Sequence, residues 1–528
     1  DNSAVATTPL VDWLDGYGVS TALPAPVAGA KLPMLDLYVI DVRAQKVRHL
    51  GREADGYWMI ASLTPERVVV RSMSRRVDVH MVFAIDLKTG ARTVLFEEQT
   101  DTFFTPFLYA NSYMSLGADG FLWVPEDAAH RNIEHRDAGG QLVRRVTKRD
   151  LSMFDVLRID RVAGYVYYTG PASPQRPYDR HLWRAPIAGG PEELLTPEPG
   201  QHVIQFSPAG SAFVDIYSDV NLPPRMILRD AAGAAIATLA TSTITSADLW
   251  GEYPPEPFVV KAADGKTDLH GVLYKPRDFD PQKSYPLIQF VYGEPLVAIT
   301  QRHFGPGQMT YGGSFVGSGY MNKAPALAQL GYITFTVDAR GSFGRERGFH
   351  TAAYQGVGER DIADYRAAIE QLTNSRPYMD ASRVGIYGRS FGGYMTVRGM
   401  LRAPDVYKVG VASVPLRLGA DARAGMELYF GDPHKNPDVY VNASNEAHAS
   451  GLAGKLFLIL PTLGVEVPFE EGIRLVDAFV RAGKSIDMMV LPGQNAMFQY
   501  QDSPPYMEYR DDYRNGLIRD YFLKHLAP

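Results

Sequence analysis

Cysteine is absent from this chain, which excludes disulfides, thiolate-ligated zinc and a cysteine nucleophile. The absence leaves the compartment open. Positive charge is in short supply too: 53 Lys and Arg stand against 59 Asp and Glu, a formal net charge of -6, so there is no basic footprint for nucleic acid. No run of about 18 apolar residues occurs, and no transmembrane helix is expected. The stretch from Ala231 to Leu249, broken by Gly, Thr and Ser, reads as strands and turns instead. The start, Asp1-Asn2-Ser3, has neither Met nor a signal-peptide pattern, which reads as processing or truncation.

At 528 residues the chain is too long for one core and should hold two or more domains. A hydrophobic content of 45% and a mean hydropathy of -0.16 are those of an ordinary globular protein. The pattern divides the chain into residues 1–250 and 251–528. From about Leu32 to Leu249, short runs rich in Val, Ile, Tyr and Phe alternate with turns. A strand followed by a turn opened by Asp or carrying Gly recurs at Asp41, Asp86, Asp137, Pro186 and Asp230, at intervals of 45, 51, 49 and 44 residues. A second turn series falls between, at Thr64-Pro65-Glu66, Gly117 to Gly120, Asp160 to Gly164 and Ser207 to Gly210. Two interleaved hairpin series at one period predict successive blades of a β-propeller. A β-sandwich also has evenly spaced turns but would not keep this longer period. About four to five blades fit, an incomplete or small propeller whose strand edges would invite a partner.

After Pro254-Pro255-Glu256-Pro257 the pattern changes. Apolar strands are predicted at Leu269 to Tyr274, Pro286 to Tyr292, Ile333 to Val337, Val384 to Tyr387, Val409 to Val414, Lys455 to Leu460 and Met488 to Leu491. Helical spacing fills gaps between them, clearly at Glu359 to Leu372, Glu470 to Ala482 and Tyr509 to His525. Nearly continuous apolar strands separated by helices predict a largely parallel sheet covered on both faces. Between the strand at Val384 and a helical run from Tyr394 lies Gly388-Arg389-Ser390-Phe391-Gly392, the G-x-S-x-G spacing of a nucleophile elbow. A serine on so tight a turn needs neighbours without side chains, which Gly388 and Gly392 supply, and the following helix N-terminus favours developing negative charge. The expected fold is a β-propeller followed by an α/β-hydrolase domain.

Several motifs together carry a resemblance. Gly388-Arg389-Ser390-Phe391-Gly392-Gly393-Tyr394 is similar to G-W-S-Y-G-G-Y, Val291-Tyr292-Gly293-Glu294-Pro295 to V-Y-G-G-P, and Asp338-Ala339-Arg340-Gly341-Ser342 to D-x-R-G-S. With Leu491 to Asn495, these resemble the dipeptidyl peptidase IV branch of the prolyl oligopeptidase family of serine peptidases, over about Val27 to Leu526. The resemblance implies that a propeller caps the hydrolase over a shared cavity. It also implies that Ser390 attacks a peptide carbonyl, while the Phe391 backbone N–H and the Tyr292 hydroxyl hold the oxyanion.

Departures from the family pattern are as informative. A serine needs a base, and the base an orienting acid. Where the resembled family places its aspartate and histidine, this chain has Gly464 and Ala496. The segment Pro415 to Met426, expected to surround a proline ring, has no aromatic residue, and Glu192-Glu193 reads as an exposed turn pair rather than a substrate-amine site. Glu466 and the loop histidines His303, His350, His434 and His448 are the available substitutes. Two readings follow: a catalytically impaired homologue, a pseudoenzyme with a binding, regulatory or assembly role, or an active serine hydrolase of altered specificity with a non-standard base. Neither involves a cofactor or a metal. The expected ligand is a peptide or small molecule in the interdomain cavity. The resemblance further implies a homodimer or heteromeric partner and favours a periplasmic or secreted location. Asn442-Ala443-Ser444 matches a glycosylation sequon.

Overall fold

The computed structural model describes the chain apart from residues 1–4, 13–18, 54, 106–111, 127–128, 296, 301, 306–308, 312–313, 317–322 and 497–511. The first half is antiparallel β-structure. Four four-stranded sheets, each a meander of sequential neighbours, run from Gly56 to Gln99, Tyr113 to Arg145, Val156 to Leu194 and Gln201 to Thr241. A two-stranded sheet, Leu35–Asp41 with Lys46–Glu53, precedes them. These are the predicted propeller-like blades.

The repeat seen in the sequence marks one structural position. Asp86, Asp137, Pro186 and Asp230 lie at the turn between the third and fourth strands of successive sheets, and Asp41 lies at the turn of the two-stranded sheet. The second series marks the turn between first and second strands. Asp recurs because its carboxylate caps the turn. Asp86 Oδ1 accepts from the Lys88 and Thr89 N–H groups at 2.9 and 2.6 Å, Asp137 Oδ1 from Gly139 and Gln141 at 2.9 Å each, and Asp230 Oδ1 from Ala232 and Ala234 at 2.9 Å each. One expectation is corrected in part: Ala235–Thr241 is a strand, but Ser246–Trp250 is a short helix, nucleated by a capping box between Thr245 and Asp248.

The second half is built on one eight-stranded sheet: β1 (Glu256–Lys261), β2 (Asp268–Tyr274), β3 (Tyr285–Val291), β4 (Ile333–Val337), β5 (Met379–Arg389), β6 (Tyr407–Ser413), β7 (Lys455–Pro461) and β8 (Asp487–Leu491). Their spatial order is β1-β2-β4-β3-β5-β6-β7-β8, antiparallel through β2 and parallel thereafter. The central strands β3 and β4 are buried along their whole length, as an unbroken apolar run requires when both faces are covered. The predicted helices are α1 (Arg360–Ser375), α2 (Phe391–Arg402), α4 (Phe469–Arg481) and α5 (Asp512–His525), with the short α3 (Glu427–Phe430) between α2 and α4. The core of this sheet is continuous with that of the first blades through Phe103, Phe104 and Trp123.

Candidate active site

Strand β5 delivers the chain to Ser390, and α2 leaves from it. Ser390 has φ 58° and ψ -118°, a left-handed conformation that costs a non-glycine residue on the order of 1–3 kcal/mol. Three backbone bonds hold it there: its N–H donates to Ser413 O at 2.9 Å, and its carbonyl accepts from Tyr394 and Leu416 N–H at 3.1 Å each. The flanking glycines are required by contact. A Cβ on Gly388 would lie 2.3 Å from Gly392 O, and one on Gly392 would lie 2.3 Å from Val291 O. The Ser390 hydroxyl makes no capping bond to α2. It is presented at the N-terminus of a twelve-residue helix, the end at which a developing anion is favoured.

Tyr292 follows the end of β3, is 8% exposed, and its ring stands 6.5 Å from that of Phe391. The three residues assigned to nucleophile and oxyanion roles are therefore brought together. Two residues on, Glu294 was not singled out in the sequence. Burial pushes its carboxyl up to about 7, with the Tyr429 and Tyr292 side chains exerting a smaller effect in the opposite direction.

The positions expected to hold acid and base also meet. Gly464 follows β7, Ala496 follows β8, and a Cβ built on Gly464 would lie 3.9 Å from the Ala496 Cβ. Backbone bonds join the two loops: Leu463 N–H to Gln494 O at 2.8 Å and Thr462 N–H to Leu491 O at 3.2 Å. What fills the junction is apolar, a cluster of Val414, Val467 and Ala496 with Leu416 against it. Val414 carries a strained backbone of its own, with φ 48° at a β-branched residue. The same Gly464 Cβ would lie 2.2 Å from Val467 O, so the loop is closed against any side chain at that position. Arg389, which stands where the resembled elbow has Trp, is buried and donates to the Ala496 carbonyl, tying the elbow to the loop after β8.

Among the described residues, none of the proposed substitutes is hydrogen-bonded to Ser390. His350 Nε2 pairs with Thr105 Oγ1 at 3.0 Å between the rings of Phe103 and Phe343, and burial pushes it down to about 4. Burial likewise takes His303 to about 4. His448 pairs with Asn442 O at 3.2 Å, and His434 lies against Gly29. Glu466 is exposed. Glu192 accepts from the Tyr168 hydroxyl and the Lys148 N–H, and Glu193 pairs with Arg184 at 2.7 Å, so both serve the blade that carries them. Asn442 is exposed near the end of a helix, Pro437–Ala443. Among the described residues, no three His, Asp or Glu side chains converge as metal ligands.

The aromatic-free segment Pro415 to Met426 is covered from the propeller side. Ala28 N–H donates to Ala422 O at 2.7 Å and Ala424 N–H to Pro26 O at 2.8 Å, so residues 26–28 pair with its backbone. A cavity of about 200 Å³ lies between the halves, lined by Arg176, Tyr178 and Asp219 on one side and Phe258, His270 and Arg302 on the other; Ser390 is not in its wall.

Comparison with known proteins fits this arrangement. The family model for the dipeptidyl peptidase IV N-terminal region matches residues 1–224, and that for the prolyl oligopeptidase family matches residues 318–514. This chain belongs to the dipeptidyl peptidase IV branch of the prolyl oligopeptidase family. Among its relatives in that family, dipeptidyl peptidase 8 of Homo sapiens is 28% identical over 364 residues, covering 67% of this chain and 39% of that protein. Dipeptidyl-aminopeptidase B of Aspergillus niger is 25% identical over 476 residues, covering 82% of this chain and 48% of that protein. The chain thus spans two fifths to half the length of these relatives. The dipeptidyl peptidase 4 structure of Porphyromonas gingivalis superposes on all of this chain and 72% of its own, with a TM-score of 0.87 at 21% identity. That likeness extends to the fold. Among the described residues no helix is long and apolar enough to cross a membrane.

Proposed function

We propose that this family member is a catalytically impaired homologue that retains its nucleophile corner as a ligand-binding or regulatory element. The observation that carries the reading is the junction of Gly464 and Ala496: two positions face each other across 3.9 Å where an acid and a base should stand, and the space is packed with Val414, Val467 and Leu416. Ser390 supplies the hydroxyl, and the Phe391 N–H and Tyr292 hydroxyl supply the anion-facing donors. Among the described residues neither position gives the serine proton an acceptor, and loss of a triad base leaves the residual rate given by oxyanion stabilisation and binding, a drop of about 10⁴ to 10⁶. The ligand in this reading is a peptide or small molecule with an electron-rich carbonyl or acid group, held between the two halves. Pairing with a second copy or another chain belongs to the same proposal.

A second reading, an active hydrolase with a non-standard base, is favoured by the strained elbow itself, since Ser390 keeps φ 58° and both close-packed glycines. Labelling with a fluorophosphonate separates the two, with Ser390→Ala as the blank. Slow labelling that does not saturate at micromolar probe is expected. Rapid labelling that depends on Ser390 would overturn the impaired reading.

A further inference from the structure

A cavity of about 590 Å³ opens in the propeller-like half, of a size suited to a small molecule and with none of the elbow residues in its wall. The loop before Glu134 and the segment Thr147 to Asp150, both belonging to the sheet Tyr113 to Arg145, build that wall, with Glu98 of the preceding sheet beside them. Asn132 ties loop and segment together. Its Oδ1 accepts from the Thr147 hydroxyl at 2.8 Å and the Arg149 N–H at 2.9 Å, and its Nδ2 donates to Arg149 O at 3.0 Å, so the wall is preformed.

Four cations line the cavity, Arg136, Arg145, Lys148 and Arg149, against three carboxylates, Glu98, Glu134 and Asp150. The two buried carboxylates are committed to protein donors: Glu98 accepts from Trp123 Nε1 at 2.8 Å, and Glu134 holds Arg136 at 2.9 Å with Arg145 Nε at 3.8 Å. Lys148 and Arg149 form no ion pair among the described residues. Glu192, which accepts from the Lys148 backbone N–H at 3.1 Å and from the Tyr168 hydroxyl, stands outside the wall. The guanidinium groups of Arg136 and Arg149 lie 4.3 and 3.8 Å over the rings of Phe96 and Trp183, contacts that fix their faces and leave their edges to bond. Yet Arg136 Nε and Arg149 Nη1 are buried without an acceptor among the described residues. Unfilled donors beside an excess of cations call for an acceptor-rich, negatively charged ligand. No Phe, Tyr or Trp among the described residues lines the cavity, so an aromatic ligand has no ring to stack on.

We propose that this cavity binds a compact, non-aromatic polyanion, a small molecule with two or more carboxylate or phosphate groups, anchored by Arg145, Lys148 and Arg149. The inference does not depend on Ser390 or on either reading of the elbow. Isothermal titration calorimetry of the full chain with citrate and, separately, with inorganic pyrophosphate at one fixed ionic strength tests it. Saturable one-to-one binding of at least one probe is expected; citrate alone names carboxylates as the ligand chemistry, and pyrophosphate alone names phosphates. Lys148→Ala and Arg145→Ala should each weaken binding about tenfold, the size of one hydrogen bond between charged groups. Asp150→Asn, which removes the exposed acid of the wall, should tighten it, and Lys524→Ala, exposed on α5 of the other half, should leave it unchanged. Thermal unfolding without ligand checks that each variant is folded; Arg145, whose side chain is 62% exposed, carries the test should Lys148→Ala fold poorly. Binding of neither probe overturns the proposal. So does binding that Lys148→Ala and Arg145→Ala leave unchanged, or that Lys524→Ala weakens as much, since the anion then sits elsewhere.

Discussion

At the scale of single residues, the site is defined by what two side chains lack. Ala496 and Gly464 are neighbours, but they do not cost the same to restore. Ala496 already carries a Cβ in the small apolar cluster, so a histidine there meets the side chains of Val414, Val467 and Leu416, which can repack, rather than a backbone atom. At Gly464 the first added carbon meets the Val467 carbonyl oxygen at 2.2 Å, so an aspartate requires the loop after β7 to open. We therefore expect Ala496→His alone to raise fluorophosphonate labelling of Ser390 by about 10²-fold, the lower end of what a positioned base contributes. Gly464→Asp alone should lower the unfolding midpoint, by about 1–3 kcal/mol of overpacking, without raising labelling. Labelling rates and urea unfolding of the two single variants check both halves. Equal gains from the two would show that the junction is not the obstacle.

At the scale of elements, the elbow is over-determined by contact rather than by any one hydrogen bond. Gly388, Gly392 and Val291 meet through backbone atoms that no rotamer change can move. Gly388→Ala should cost about 1–3 kcal/mol or more and reduce Ser390 labelling, whereas Gly425→Ala, whose new carbon meets nothing within 4 Å, should be nearly neutral. Chemical denaturation of the pair measures the difference. Much at this scale was legible in the sequence, because it depends on neighbours in the chain. The Asp-led turns announced the third-to-fourth strand connections since each carboxylate caps N–H groups two to four residues ahead of it. The elbow announced itself because sterics leave glycine no substitute at two fixed positions. The short helix Ser246–Trp250 did not, because five residues are too few to show a period. Arg389 gives no such signal, because its importance comes from the Ala496 carbonyl, more than a hundred residues away.

At the scale of the whole molecule, the two halves are joined by buried charge as well as by apolar packing, and no local pattern foretold it. Arg347 reaches the propeller-like half, its N–H donating to Ala129 O at 2.9 Å and its guanidinium to Glu126 O at 2.7 Å and Thr102 Oγ1 at 2.8 Å. Deeper in the interface, Glu427 of α3 is 2% exposed and accepts from Gly29 N–H at 2.8 Å and from Arg75 through Nε and Nη2 at 2.7 and 2.6 Å. The bidentate pair is 352 residues apart in the chain. Removing Arg75 leaves a carboxylate buried with one backbone donor, and breaking such a pair from one side typically costs about 3–5 kcal/mol. Glu427→Gln keeps an acceptor for Gly29 and removes the charge that would be stranded. We therefore expect Arg75→Ala to lower the apparent unfolding midpoint more than Glu427→Gln does, and the double variant to fall no further than Arg75→Ala. Urea unfolding of the three variants checks this: a loss in Glu427→Gln equal to that in Arg75→Ala would show that a stranded carboxylate is not what the broken pair costs.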